Sequence, residues 1–210
     1  MSRLIGKDIG VRLCGAPMAP TVGPLRDGPD VSWINRCRVG DDQGVTSACS
    51  LFGHANWAEI MHGEAVTDEA CTSAYRLACQ RYDVPDGSGL TVPQAFQIAH
   101  ELDWLPGARE VRRVDSLAPL VRQPLLGCYA LPREFSAVDA GGFFAMPGLF
   151  IEAGYHLMAI VGHGKVNAFG ERTFVYVENS WGLSWGYNGM CFMEEATHRA
   201  MIREIWSIET

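Results

Sequence analysis

Hydrophobic positions follow two different rhythms along this chain. Between Ser47 and Asp103 they recur at the three- and four-residue spacing of helices. Beyond about residue 107 they gather into short runs, as strands require. From Ser47 to His62 the residues Leu51, Phe52, Ala55, Ala58 and Ile60 share helical spacing, and Gly63 stops the run. This helix is expected to be largely buried. A second helix is expected over 68–82, with Asp68 and Glu69 in its first turn, where the helix dipole favours acids. The stretch Asp83-Val84-Pro85-Asp86-Gly87-Ser88-Gly89 reads as a loop. Thr91 then caps a third helix reaching about Asp103, with Pro93 in its first turn and Ala95, Phe96, Ile98, Ala99 and Leu102 facing inward.

After Trp104-Leu105-Pro106-Gly107 the pattern predicts strands over 125–131, 155–161, 172–178, 190–193 and 202–208, with 132–154 as loop. The first thirty residues are rich in Gly and Pro, which leave few ladder hydrogen bonds, so they are expected to form an extended arm. Asp30-Val31-Ser32-Trp33 reads as a docking segment with an aromatic anchor. The expectation is an α+β fold in three parts: the arm at 1–30, a helical lobe over 31–110 and a strand-rich lobe over 111–210.

Composition narrows the function classes. The chain has 210 residues, 48% of them hydrophobic, enough for one sizeable core or two lobes sharing one. A net charge of −7 argues against nucleic acid or an anionic membrane as the main partner. No window approaches the ~20 apolar residues of a membrane span. Nor do the first ten residues contain the apolar stretch of a secretory signal. A cytoplasmic location is expected, with export by another route left open. The seven cysteines show no CxxC or zinc spacing, so reduced thiols are expected, with no metal and no cofactor.

The candidate chemistry begins at Asp41-Asp42-Gln43-Gly44-Val45-Thr46-Ser47-Ala48-Cys49, a polar loop that runs into the first helix. A thiol at a helix N-terminus feels the dipole and the free N–H groups of the first turn, and both favour the thiolate. Standing alone, such a cysteine reads more often as a small buried hydrophobe. Gln43 lies six residues upstream, where its amide would meet an oxyanion beside the sulfur. Asp41 and Asp42 read as a solvated loop face. His156 begins a strand after a glycine loop, a place suited to a general base. Asn179 follows the next strand, and its carbonyl would fix the imidazole tautomer. Trp181 and Trp185 follow closely, and one indole would shield that hydrogen bond from water.

These segments resemble the papain family of cysteine peptidases. The likeness rests on Gln43 to Cys49, then on Gly154-Tyr155-His156 and Glu178-Asn179-Ser180-Trp181-Gly182-Leu183-Ser184-Trp185-Gly186. The resemblance implies a two-lobe fold with an antiparallel β-barrel-like second lobe and an active site between the lobes. It implies Cys49 as nucleophile, His156 as acid and base, Asn179 as orienter, and Gln43 with the Cys49 backbone N–H as oxyanion hole. It implies a peptide or protein substrate, with the loop holding Gly87, Ser88 and Gly89 lining the cleft. Tyr155 and Trp185 are further substrate-side candidates, and Trp181 a supporting one. Two positions depart from the family: Thr46 stands where a bridged cysteine is usual, and Ser50 replaces the aromatic after the nucleophile. No inhibitory pro-segment is evident. Three readings follow: thiol-dependent peptide-bond hydrolysis, an idle papain-like module that binds peptides or proteins, and acyl transfer or deamidation by the same Cys-His chemistry.

Overall fold

The computed structural model describes residues 30–38, 40–85, 87–146, 148–166 and 172–210. Almost all of the expected arm lies outside the described residues, as does most of the 164–171 connection.

Three helices come first: α1 (Cys49–His62), α2 (Asp68–Tyr82) and α3 (Val92–Glu101). Each ends where local chemistry dictates. Gly63 closes α1 with φ 79°, a left-handed turn that glycine adopts without a Cβ clash. The Thr67 hydroxyl accepts the Ala70 N–H at the start of α2. Thr91 and Gln94 form a reciprocal capping box on α3. Helix α1 is buried on every face from Cys49 to Ile60, so its sequence shows no polar stripe.

The strands are β1 (Val31–Ser32), β2 (Glu110–Val114), β3 (Leu125–Pro132), β4 (Phe143–Phe144), β5 (Glu152–Lys165), β6 (Thr173–Glu178), β7 (Met190–Glu194) and β8 (Ile202–Glu209), with a short helix α4 (Glu195–Met201) before the last. They form one sheet in the order β2-β8-β3-β5-β6-β7-β4, with β1 paired to β5. All pairs are antiparallel except β4 with β7, so the sheet is mixed. The 132–154 region, expected as loop, holds a 3-10 turn, β4 and the first residues of β5. The exposed strand β2 escaped the sequence pattern because Glu110, Arg112 and Arg113 dilute its apolar residues. Trp33 anchors as expected: its indole N–H donates to the Leu120 carbonyl at 2.9 Å, and its backbone N–H to Val161 O at 2.7 Å.

Helices and sheet share a core. Cys49, Trp57 and Phe96 pack in one cluster with Leu126, Leu157 and Trp206 from the sheet. The closest approach is at Gly53 on α1. A Cβ built there would lie 2.0 Å from Leu157 Cδ2 on β5. A glycine inside a helix ordinarily loses about 1 kcal/mol to alanine in propensity, yet here its missing side chain is what lets α1 lie against β5. Gly53→Ala is therefore expected to destabilise the protein by about 1–3 kcal/mol through overpacking. Denaturant unfolding checks the sign, since propensity alone predicts a gain.

Candidate active site

Cys49 opens α1, and β5 crosses its mouth. The Leu157 backbone N–H points at the Cys49 sulfur at 3.4 Å. The close packing of α1 and β5 just described thus brings the β5 backbone after His156 to the thiol. Asn179 follows the end of β6, the strand paired with β5. Its Oδ1 lies 2.7 Å from His156 Nε2.

The tautomer follows from the partners. The Ser180 backbone N–H donates to Asn179 Oδ1 at 2.8 Å, which fixes that atom as the oxygen. His156 Nε2 must then carry the hydrogen, and in the neutral ring Nδ1 holds the lone pair. Nδ1 is buried and has no hydrogen-bond partner among the described residues. The Trp181 ring lies over the imidazole, with centroids 4.8 Å apart and planes tilted by 39°. This is the water-excluding cover expected of one of the two indoles.

Gln43 is also fixed at both ends. Its Nε2 donates to Thr46 O at 2.7 Å, and its Oε1 accepts the Ser180 hydroxyl at 2.7 Å. Thr46 answers, donating its hydroxyl to Gln43 O at 2.7 Å. A hydrogen-bonded turn therefore holds this loop, and none of the six described cysteines forms a disulfide. Segments 41–43 and 180–182 run antiparallel: Gln43 N–H donates to Ser180 O and Gly182 N–H to Asp41 O, each at 2.9 Å. One zip thus positions both Gln43 and the segment after Asn179. Ser180 carries two of its bonds. Its place in the Asn-Ser-Trp-Gly run was visible in the sequence; its role was not.

The remaining candidates divide. The 87–89 loop is held near the nucleophile loop, because Ser47 Oγ donates to Gly87 O at 2.7 Å. From the other side Tyr75 OH donates to Ser88 O at 2.6 Å. Gly89 is buried and Tyr155 half-buried. Trp185 is only 4% exposed, and its indole N–H donates inward to Phe135 O at 3.1 Å. Two expectations are corrected. Asp41 does not sit on a solvated face: it is 7% exposed, while Asp42 is exposed. Nor does the helix terminus make Cys49 a thiolate. The residue is fully buried, and burial pushes its thiol up to about 12 despite N–H groups of Leu157, Ser50 and Cys49 that pull it down. Burial likewise lowers His156 to about 4, opposed by its bond to Asn179. Burial thus favours the neutral form of the thiol and of the imidazole alike.

A family model of the papain family cysteine proteases matches residues 132–209, the part of the chain holding His156 and Asn179. Solved structures agree over nearly the whole fold. Xylellain, a cysteine protease from Xylella fastidiosa, aligns with a TM-score of 0.68 at 16% identity, covering 93% of this chain and 90% of its own. The Carica candamarcensis cysteine protease CMS1MS2, in complex with E-64, gives 0.60 at 19% identity, covering 87% and 99%. The proform of Amb a 11, a ragweed pollen cysteine protease, gives 0.65 at 16%, covering 94% and 72%. No curated protein matches the chain at a significant level. The fold is papain-like over nearly the whole chain, and the part holding His156 and Asn179 is similar in sequence to the papain family cysteine proteases.

A neutral buried thiol has a kinetic signature. Iodoacetamide labelling of Cys49, followed by peptide mass spectrometry, is expected to climb about tenfold per pH unit from pH 6 to pH 9. A rate already level at pH 6 would mean a preformed thiolate–imidazolium pair.

Proposed function

We propose that the protein hydrolyses peptide bonds through an acyl-enzyme on Cys49. The observation that carries this reading is the His156–Asn179 bond at 2.7 Å, with the next backbone N–H, that of Leu157, 3.4 Å from the Cys49 sulfur. The segments that carry the proposed nucleophile, base and orienter come together at this junction.

In the proposed reaction, substrate binding opens the site and brings the scissile carbonyl to Cys49. Sγ forms a bond to the carbonyl carbon as its proton passes to His156 Nδ1. Asn179 Oδ1 stabilises the imidazolium through Nε2–H without adding a charge. The second N–H of Gln43 Nε2 and the Cys49 backbone N–H receive the oxyanion. The tetrahedral intermediate collapses: the C–N bond breaks, and His156 returns its proton to the leaving amine. Water, deprotonated by the same nitrogen, then cleaves the thioester and frees the acid and Cys49.

Trp181 keeps water from the His156–Asn179 bond. The Ser47 and Tyr75 contacts hold Gly87 and Ser88 as a wall of the cleft, which lies between the helical part and the sheet. The partner is a peptide or protein segment. Complete burial of Cys49 is the one observation favouring a non-catalytic binding module instead, and the same experiment separates the two.

Wild type is expected to cleave a denatured protein substrate and to be modified at Cys49 by E-64, the ligand of the Carica candamarcensis relative. Cys49→Ala and His156→Ala should each lose activity by about 10⁴-fold or more. Gln43→Ala should lower kcat by about 10²–10³-fold through one missing oxyanion donor. Binding of peptides by wild type and Cys49→Ala alike, with no cleavage by either, would establish the binding module.

A further inference from the structure

Behind the site lie three buried carboxyls that the proposed reaction does not use: Asp41, Glu59 and Glu178, exposed by 7%, 5% and 3%. Each belongs to a segment that carries a part of the site. Glu59 is on α1, the helix opened by Cys49. Asp41 is two residues before Gln43. Glu178 ends β6 and immediately precedes Asn179.

We propose that these three carboxyls form a proton-holding clamp, which positions Gln43 and Asn179 about Cys49 while it keeps its protons and loosens the site as they leave to water.

The groups facing the cluster supply too little positive charge. Among the described residues the cation acting on it is Arg38, whose Nη1 is 3.5 Å from Glu59 Oε1 and whose side chain is 53% exposed, so water screens it. From α2, Asp68 adds a further negative group, tied to the Asp42 N–H at 3.3 Å. The thiols of Cys37, on the segment after β1, and Cys71, on α2, complete the surroundings and are themselves raised by burial and by these acids. Donors are few. Val66 N–H reaches Glu59 Oε1 at 2.8 Å. Oriented by its partners, the Asn56 amide donates to Asp41 Oδ2 at 3.0 Å and to Phe52 O at 2.7 Å. Glu178 Oε2 is buried with no hydrogen-bond partner among the described residues, while Cys37 and the Asn56 amide interact with this carboxyl and oppose its rise only in part. Three ionised carboxylates cannot share this space, because a buried charge without a partner is strongly destabilising.

Their titration agrees with the geometry. Burial, then repulsion from Glu59 and Asp68, raises Asp41 to about 7. Burial, then Asp41, raises Glu178 to about 8, and burial raises Glu59 as well. For an acid held above its ordinary range, the native state binds more protons than the unfolded one. Its contribution to stability is complete at low pH and is lost as pH rises through the raised value. The loss therefore runs from the ordinary carboxylate values of 3.8 and 4.5 up to about 7 for Asp41 and about 8 for Glu178, so its upper part falls between pH 6 and pH 8.

This inference rests on the site roles proposed above, but its main test does not need turnover. Thermal unfolding of the wild type is expected to lose about 4 °C or more in Tm between pH 6 and pH 9. Glu178→Gln keeps the shape and removes the proton, and should flatten that fall by half or more. Asp41→Asn serves as the second variant should the first not fold. In wild type a protonated-carboxyl C=O infrared band should fade over the same interval. If hydrolysis is present, the alkaline limb of kcat should move to higher pH in Glu178→Gln, a shift that mere destabilisation would not produce. A flat wild-type Tm, an unchanged slope in both variants, an absent band or an unmoved limb would each overturn the clamp. A protein that never cleaves peptides but shows the Tm slope and the band keeps the proton-holding cluster and loses only the catalytic reading.

Discussion

Helix α1 can touch strand β5 because residue 53 has no side chain. With Leu157 seated against Gly53, the helix mouth and the strand are drawn together four residues away, at Cys49. Without that approach the segments that carry Cys49 and His156 would stand farther apart. The core that surrounds the contact is apolar and continuous from helices to sheet, so the approach is enforced by packing on all sides. The same packing buries both Cys49 and His156, which favours their neutral forms. Electrostatic help from the helix terminus is present but smaller than the desolvation it opposes.

Hydrogen bonds then do what packing cannot, which is to choose atoms. Ser180 is the clearest case. Its N–H decides which end of the Asn179 amide is oxygen, and so which nitrogen of His156 is free. Its hydroxyl decides the orientation of the Gln43 amide. One residue thereby sets the sense of two amides on different segments. The antiparallel contact of 41–43 with 180–182 makes this a single rigid unit rather than two loops.

That unit rests on buried acid. Asp41, Glu59 and Glu178 lie where an apolar contact or an ion pair would be the ordinary solution. A fold that retains such a cluster accepts dependence on protons in the part of the molecule that holds the site together. Cys49, His156 and the carboxyls meet the same condition: groups closed to water favour their neutral forms.

Much of this was legible in one sequence. Helices α1, α2 and α3 were readable because their spacing, caps and stop signals are local properties of neighbouring residues. Strands β3, β5, β6, β7 and β8 were readable as apolar runs. The residues Gln43, Cys49, His156 and Asn179 stood out because a glycine-bearing loop before a helix and an Asn-Ser-Trp-Gly turn are local patterns too. Strand β2, the parallel pairing of β4, the burial of Asp41, the orienting role of Ser180 and the neutral state of Cys49 were not readable. Each depends on what lies opposite in space, and a residue's solvation and hydrogen-bond partners are set by segments up to 137 residues away along the chain. Sequence determined the elements and the chemical groups; tertiary structure alone decided which groups meet, which lose their water, and hence which carry charge.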